Sequence, residues 1–235
     1  MQAVIIAGGQ GTRLGELTRE VPKPLVPVAG RPFLDHQLTL LASQGVDRVV
    51  LCIGHLGQQI RDFVGDGGSW GLSAAYSEDG PTLLGTGGSL KKAAPLLDER
   101  FFMLWGDSYL LLDYRRVWQS FLASGLPGLM VAWRNQGRKE PSNVRLSGGR
   151  VAAYDKWAPG PEFDCIDYGL SAFERGVLER IPPGRPFAME EMFRGLAAEG
   201  KLAAYVVEHP YFEIGSPAGL AELEQYLISR EGKQP

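Results

Sequence analysis

The chain has 235 residues, with 24 lysines and arginines against 27 aspartates and glutamates, for a formal net charge of −3. That length buries one good-sized core, and the slightly acidic balance leaves no basic footprint for nucleic acid. The start carries neither a basic leader nor a long apolar run, so no signal peptide or membrane span is expected and a cytoplasmic setting is the default. Cys52 and Cys165 lie far apart without ligand-like spacing and read as buried free thiols.

Met1 to Ile6 reads as a short buried strand that runs into Ala7-Gly8-Gly9-Gln10-Gly11-Thr12-Arg13-Leu14. From Arg31 to Gln44, Phe33, Leu34, Leu38 and Leu41 fall on one helical stripe closed by Gly45. Val46–Ile53 reads as a buried strand, Leu56–Val64 as a short helix, Leu72–Tyr76 as a strand, Ser89–Leu97 as a helix and Phe101–Trp105 as a strand. The second half is less regular. Strands are predicted at Gly128–Trp133, Asn143–Leu146, Arg150–Tyr154 and Cys165–Ala172, with Gly148-Gly149 as a hairpin signal between the middle two. Helices are predicted at Glu174–Arg180, Met189–Gly200 and Pro217–Ser229. Strand–helix alternation predicts an α/β fold whose largely parallel sheet is covered on both faces. Nothing reads as an interdomain linker, so one domain over 1–229 is expected, with a polar tail at 230–235.

The chemistry concentrates in the first 28 residues. Three glycines, a hydroxyl and an arginine directly after a strand are what a backbone needs to wrap a polyphosphate: glycine permits close approach and positive φ, so that N–H groups converge on one anion. Arg13 adds a planar donor fork suited to phosphate. Two familiar glycine loops fit poorly. A Walker loop needs Lys-Ser or Lys-Thr where Thr12-Arg13 stands, and the dinucleotide fingerprint needs glycine at position 14, which is Leu14. In Val21-Pro22-Lys23-Pro24 the two prolines predict a stiff, extended arm that presents Lys23 with little entropy left to lose.

These residues resemble the sugar-1-phosphate nucleotidyltransferases. Gly8-Gly9-Gln10-Gly11-Thr12-Arg13-Leu14 and Pro22-Lys23-Pro24 match that family's signature, and further likenesses run over nearly the whole chain. The resemblance implies a Rossmann-like three-layer αβα fold with a mixed, mostly parallel sheet, divided into a nucleotide half (about 1–110) and a sugar half (111–229). It also implies the reaction: a sugar 1-phosphate attacks the α-phosphorus of a nucleoside triphosphate to give a nucleotide-sugar and pyrophosphate. The partners would be the NTP and the sugar 1-phosphate, and the cofactor Mg2+. Oligomeric state is left open, a homo-oligomer included.

Carried over position by position, the resemblance gives Arg13, Lys23 and Asp107 catalytic roles. Ala7, Gly8, Gly9, Gly11, Thr12, Arg13 and Lys23 would bind the nucleotide's phosphates. Asp107 ends an apolar strand at Trp105-Gly106-Asp107, and magnesium favours one or two such carboxylates together with phosphate oxygens and waters. Its partner would be Glu213 in Phe212-Glu213-Ile214-Gly215-Ser216-Pro217, where the family usually carries aspartate. Ser216 before Pro217 is also a good helix N-cap. Base selection would lie in Tyr76 to Gly88, with Gly85, Thr86 and Gly88 in the turn and Glu78 and Asp79 competing for an acidic position. A carboxylate there would pair with N1–H and the exocyclic amine of guanine, which favours GTP over UTP. For the sugar phosphate the candidates are Asn143, Asp155, Lys156, Asp167 and Gly169. Asp155 stands where relatives have glutamate, and Asp167-Tyr168 where many have Asn-Ala. His36, His55 and His209 have no partner at motif spacing, in keeping with a nucleophile already ionised at neutral pH. The overall look is nearest to short D-glycero-D-manno-heptose 1-phosphate guanylyltransferases making GDP-heptose. A uridylyltransferase of amino-sugar 1-phosphates, a mannose 1-phosphate guanylyltransferase and a non-catalytic nucleotide-binding regulatory subunit are the alternatives, with a Rossmann oxidoreductase a distant one.

Overall fold

Apolar runs of five or six residues, alternating strictly between two faces, organise the molecule. A computed structural model describes residues 1–9, 11–80, 84–135, 137–138, 141–157 and 160–231. Gln10, the Pro81-Thr82-Leu83 part of the expected base-binding stretch and 232–235 of the expected tail lie outside them. β1 (Gln2–Ile6) leads through 3-10 turns at Thr12–Thr18 and Lys23–Leu25 to a small hairpin, β2 (Pro27–Val28) and β3 (Arg31–Pro32), and then to α1 (Phe33–Ser43). The chain continues as β4 (Arg48–Ile53), α2 (Gly57–Val64), β5 (Ser73–Glu78), α3 (Gly85–Ala93), β6 (Arg100–Trp105), β7 (Ser108–Tyr109) and α4 (Tyr114–Ser124). The second half holds β8 (Gly128–Arg134), β9 (Val144–Ser147), β10 (Arg150–Tyr154), β11 (Cys165–Glu174), α5 (Met189–Ala198), β12 (Leu202–Val207), β13 (Phe212–Glu213) and α6 (Pro217–Glu231).

Nine strands form one sheet in the order β5-β4-β1-β6-β11-β8-β12-β10-β9. In β1, Ala3 and Ile5 pack on one face and Val4 on the other; in β4, Val49, Leu51 and Ile53 oppose Val50 and Cys52; in β6, Phe102 and Leu104 oppose Phe101 and Met103. That two-residue alternation, apolar on both sides, is what a strand covered on both faces requires. α1, α2 and α4 cover the first face through Leu34, Leu38, Leu41, Ile60, Val64, Tyr114, Val117 and Phe121. α3 and α5 cover the second through Leu90, Ala93, Met189, Met192, Phe193 and Leu196. The result is three layers. α6 closes a separate small core with Val28, Phe33 and Ile214, through Leu223 and Leu227.

The sheet is mixed, as expected, with parallel and antiparallel pairs in it. Pairing is parallel from β5 through β4 and β1 to β6. Beyond it, only β8 and β12 pair parallel, whereas β6–β11, β11–β8, β12–β10 and β10–β9 are antiparallel. At the far edge the Gly148-Gly149 turn, both residues at positive φ, folds β10 directly back on β9 without a crossover helix. The expectations omit α4 and β12. α4 carries ordinary signals, an Asp113 N-cap whose Oδ1 accepts from the Arg116 amide at 3.1 Å and a left-handed Gly125 at its end. Glu174–Arg180, expected as a helix, is a strand end followed by a 3-10 turn over Arg175–Arg180.

Capping and packing set the elements that matter for the site. α1 stops as expected at Gly45 (φ 84°), where the amides of Gly45 and Val46 donate to the carbonyls of Ala42 and Leu41, a paired C-terminal cap. Tyr114 and Trp118 of α4 meet Phe102 of β6 edge-on, with ring centroids 5.7 and 4.9 Å apart. Such pairs add about 0.5–1.5 kcal/mol each beyond their burial, and here they hold the strand that ends at Asp107.

Candidate functional site

The chain runs from β1 outward through β4 to β5 and then returns to β6 on the other side of β1. The crevice above the carboxyl ends of β1 and β6 is therefore the point where strand order reverses, the usual place for a ligand in an open α/β sheet. Ile6 is in register with Trp105, so the glycine loop and Gly106-Asp107 leave the sheet side by side. Gly106 permits this contact: its amide donates to the Ile6 carbonyl at 2.9 Å, and a Cβ would sit 2.9 Å from that same oxygen.

A cavity of about 330 Å3 opens here. It gathers Ala7, Gly9, Arg13, Lys23, Thr86, Asp107 and Glu213 with Asn143, Lys156, Asp167 and Gly169, residues expected separately from distant stretches of sequence. Glu190 and Tyr211, which the sequence analysis did not single out, line it as well. Gly8, Gly11, Thr12, Glu78, Asp79, Gly85, Gly88 and Asp155 are not on its wall.

At one end, charged side chains converge. Lys23 Nζ donates to Asp107 Oδ2 at 2.5 Å, with both side chains largely buried. A Cβ on Gly215 would lie 2.6 Å from Glu213 Oε2, 2.9 Å from an Arg13 guanidinium nitrogen and 3.1 Å from Lys23 Nζ, so glycine at 215 is the space in which all three meet. Lys23 is not on an extended arm, as the prolines had implied. Pro22 is extended (φ −65°, ψ 143°), but Lys23 opens a 3-10 turn in which the Leu25 amide donates to the Pro22 carbonyl at 2.8 Å. Gly11 takes φ 66°, and its carbonyl accepts from Thr18 Oγ1 at 2.9 Å, which ties the loop to the turn that follows. A side chain there would collide with Thr18 and press on Lys23 Cβ.

Asp107 and Glu213 are brought together by a two-stranded pairing that no local pattern announces. β7 and β13 run antiparallel with Ser108 opposite Glu213, and the Ile214 amide donates to the Asp107 carbonyl at 2.9 Å. The Glu213 carboxylate accepts from the Gly215 amide, and from Ser216 Oγ at 2.6 Å. Ser216 Oγ accepts in turn from the Gly219 amide at 3.1 Å, so it caps α6 as expected, with Pro217 in the first turn. Two hard carboxylates on adjacent strands beside a cavity suit a magnesium ion that keeps waters and takes phosphate oxygens for its other ligands. Gln37 of α1 holds the same corner from below. Its Nε2 donates to the carbonyls of Trp105 and Ser108, each at 2.9 Å, bracketing Gly106-Asp107.

The two acids at the end of β5 part company. Glu78 points outward, 4.0 Å from an Arg61 guanidinium nitrogen and exposed. Asp79 turns inward at 8 % exposure, with Ser89 Oγ donating to Oδ2 at 2.7 Å and, among the described residues, no partner on the buried Oδ1. Burial pushes its carboxyl up from the usual range, against the Ser89 bond and the charge of Lys92. Gly8 lies beside it: a Cβ there would be 3.4 Å from Asp79 Oδ2. Gly85 and Gly88 are the first turn of α3 rather than a loop ahead of it. Side chains there would strike Phe187 O at 2.8 Å and Leu84 Cβ at 2.9 Å, so both serve close packing, while Thr86 faces the cavity and its Oγ1 accepts from the Met189 amide at 2.9 Å.

The opposite end is built on β10, β11 and α5. β11 slips register against β8 between Asp167 and Ser171, and Gly169 sits in that bulge at φ 94°. Its amide donates to Asp167 Oδ1 at 3.0 Å, and the Asp167 amide donates to Asn143 Oδ1 at 2.9 Å, which locks the three candidates together. Desolvation pushes the Asp167 carboxyl up to about 6 despite that bond and the charge of Lys156. Asp155 departs from expectation: its Oδ1 accepts from Arg194 and from the Trp157 amide, each at 2.9 Å, and it faces away from the cavity. The partner of Lys156 is instead Glu190, at 2.9 Å. Arg194 and Glu190 lie one helical turn apart on α5 and so address consecutive residues of the same loop. His36 contacts the Val28 carbonyl at 2.9 Å and His209 that of Leu111 at 2.5 Å, both outside the cavity. Among the described residues, no helix is long and apolar enough to cross a membrane.

The profile of the nucleotidyl transferase family matches residues 2–143. The chain belongs to that family. A mannose-1-phosphate guanylyltransferase of Mycobacterium tuberculosis is 33 % identical over 228 residues, which covers 92 % of this chain and 62 % of the relative. The catalytic subunit beta of the Xenopus tropicalis mannose-1-phosphate guanylyltransferase is 31 % identical over 246 residues, covering all of this chain and 67 % of its own length. This family member thus spans about two thirds of the curated relatives it matches. Among solved structures, HddC from Yersinia pseudotuberculosis complexed with GMP-PN superposes with a TM-score of 0.80 at 25 % identity, covering 96 % of this chain and 99 % of the other.

Proposed function

We propose that this nucleotidyl transferase moves a nucleotidyl group from a nucleoside triphosphate, GTP in preference, to a sugar 1-phosphate, releasing pyrophosphate. The observation that carries this reading is the meeting of Arg13, Lys23, Asp107 and Glu213 at one end of a cavity whose other end holds Lys156. Arg13 holds the β- and γ-phosphates as the leaving group. Lys23, once drawn from Asp107 by substrate, stabilises the α-phosphoryl as it becomes five-coordinate. Asp107 and Glu213 would hold Mg2+, which supplies neutralisation of the charge shared by the two phosphates. Lys156 positions the sugar's phosphate. One of that phosphate's oxygens forms the new bond to the α-phosphorus while the bond to the bridging oxygen breaks, and no proton need move. Catalysis is then alignment of two anions and electrostatic stabilisation.

Asp79 is the base reader in this scheme. Its Oδ1, without a partner among the described residues, offers an acceptor for a guanine N–H donor, whereas Glu78 is turned to solvent. The mycobacterial and amphibian guanylyltransferases support guanine; a Synechocystis UTP–glucose-1-phosphate uridylyltransferase, 28 % identical over 257 residues, makes UTP the alternative. Heptose or mannose 1-phosphate is the acceptor we favour. The test measures melting with magnesium and each of GTP, UTP, dTTP, CTP and ATP, followed by pyrophosphate release with each acceptor. A ligand at about a hundred times its dissociation constant adds roughly 2.7 kcal/mol of stability. A shift and turnover with GTP are expected; a shift with UTP alone overturns the base assignment, and no pyrophosphate from any pair overturns the reaction.

A further inference from the structure

Among the described residues that line the cavity, one carboxylate has a single hydrogen bond and no ion pair. Lys23 pairs with Asp107, Lys156 with Glu190, and Glu213 takes an amide and a hydroxyl. Asp167 accepts only the Gly169 amide on Oδ1 and, among the described residues, has no cation within ion-pair distance. Glu190, on the facing helix, adds a second carboxylate; burial above all, and then these two charges, raises the Tyr154 phenol's affinity for its proton. The Asp167 side chain is also fixed in place, because its own amide is tied to Asn143 and its carboxylate to the bulge glycine.

We infer that Asp167 makes the sugar end a filter for uncharged, hydroxylated sugars: it accepts from sugar hydroxyls and turns away sugars that bear a carboxylate. An ionised carboxylate can only accept, so hydroxyl donors satisfy it, whereas a second carboxylate supplies no donor and adds repulsion in a site shielded from water. Its desolvated position makes an unmet acceptor costly and a hydroxyl partner correspondingly valuable. The contrast with a relative is direct. The N-acetylmuramate alpha-1-phosphate uridylyltransferase of Neisseria meningitidis, 38 % identical over 128 residues, acts on a sugar that carries a carboxylate. The inference rests on the sugar-1-phosphate reading above and narrows its acceptor.

The experiment compares pyrophosphate release from GTP and magnesium with uncharged acceptors (mannose, glucose and heptose 1-phosphates) and acidic ones (glucuronic acid and N-acetylmuramate 1-phosphates). Wild-type kcat/KM should favour an uncharged acceptor by about tenfold or more, the scale of one charge-assisted hydrogen bond. Asp167→Asn keeps the acceptor for the Gly169 amide but halves the acceptor capacity and removes the charge. It should raise KM for the uncharged sugar phosphate by about tenfold, narrow the ratio, and leave KM for GTP unchanged. Asp167→Glu restores the charge and should keep the preference. A ratio unchanged in Asp167→Asn, or a wild-type preference for acidic acceptors, overturns the filter while transfer itself stands. Pyrophosphate from no acceptor, with no nucleotide-induced melting shift, overturns the transfer reading and the filter with it.

Discussion

The two ends of the cavity are built on opposite plans. The phosphate end comes from loops that follow parallel strands, and its ionic groups sit on a glycine turn, a 3-10 turn and strand ends that pairing brings together. The sugar end comes from antiparallel strands and a helix, with a register slip at Gly169 and charges supplied by residues far apart in sequence. At the first end Lys23 pairs with Asp107 while Arg13 and Glu213 converge beside Gly215; at the second, among the described residues, Asp167 has no ion pair. On the proposed reading, the difference teaches that paired charges await a phosphate, Lys156 with Glu190 included, whereas an acceptor without an ion pair awaits hydroxyls.

The most severe way to break the phosphate end is Lys23→Ala. Turnover should fall on the order of a hundredfold, the scale of losing one transition-state donor, while circular dichroism and melting report an intact fold. A variant that keeps more than half of its activity removes Lys23 from the mechanism. Asp79→Asn sharpens the nucleotide side. Loss of a charged acceptor inside the fold should raise KM for GTP by about tenfold with little change for UTP, and equal effects on both would show that Asp79 only supports Ser89.

The sugar end predicts a stability effect of its own. Folded, Asp167 holds its proton up to about pH 6, whereas the unfolded chain releases it near 3.8, so folding takes up a proton in between and stability falls as pH rises through that window. Asp167→Asn removes the penalty. At pH 8 it should melt above wild type by several degrees, corresponding to about 3 kcal/mol, and the two curves should merge below pH 4. A constant difference at every pH would assign the gain to packing instead. The smallest effect belongs to Asp155→Ala. With its carboxylate tied to Arg194, KM for the sugar phosphate should change less than about twofold, as for a partly exposed ion pair. A larger rise would mean that Asp155 swings into the cavity on binding.

Much of the parallel half was legible because its information is local. Short apolar runs located β1, β4 and β6, the 3.6-residue stripe and Gly45 located α1, and the glycine-loop, Pro-Lys-Pro and Gly-Asp motifs bring Gly9, Arg13, Lys23 and Asp107 to one cavity. Where the reading failed, the deciding contact was distant in sequence. Whether Glu78 or Asp79 faces inward depends on Ser89 in α3 and the Arg61 side chain of α2. Lys156 finds Glu190 rather than its neighbour Asp155 because α5 presents Arg194 and Glu190 to that loop in a fixed order. α4 was legible yet overlooked, with cap, stripe and stop all in place.

By itself, the sequence determined the backbone chemistry of the phosphate loop, because glycine conformations and strand periodicity act over a few residues. Only the tertiary structure decided that β7 and β13 pair, setting Glu213 beside Asp107, and that Asp167 has no ion pair among the described residues. Partnership among charges is a matter of which surfaces meet, and burial, which gives each unmet charge its weight, exists only once the chain has folded.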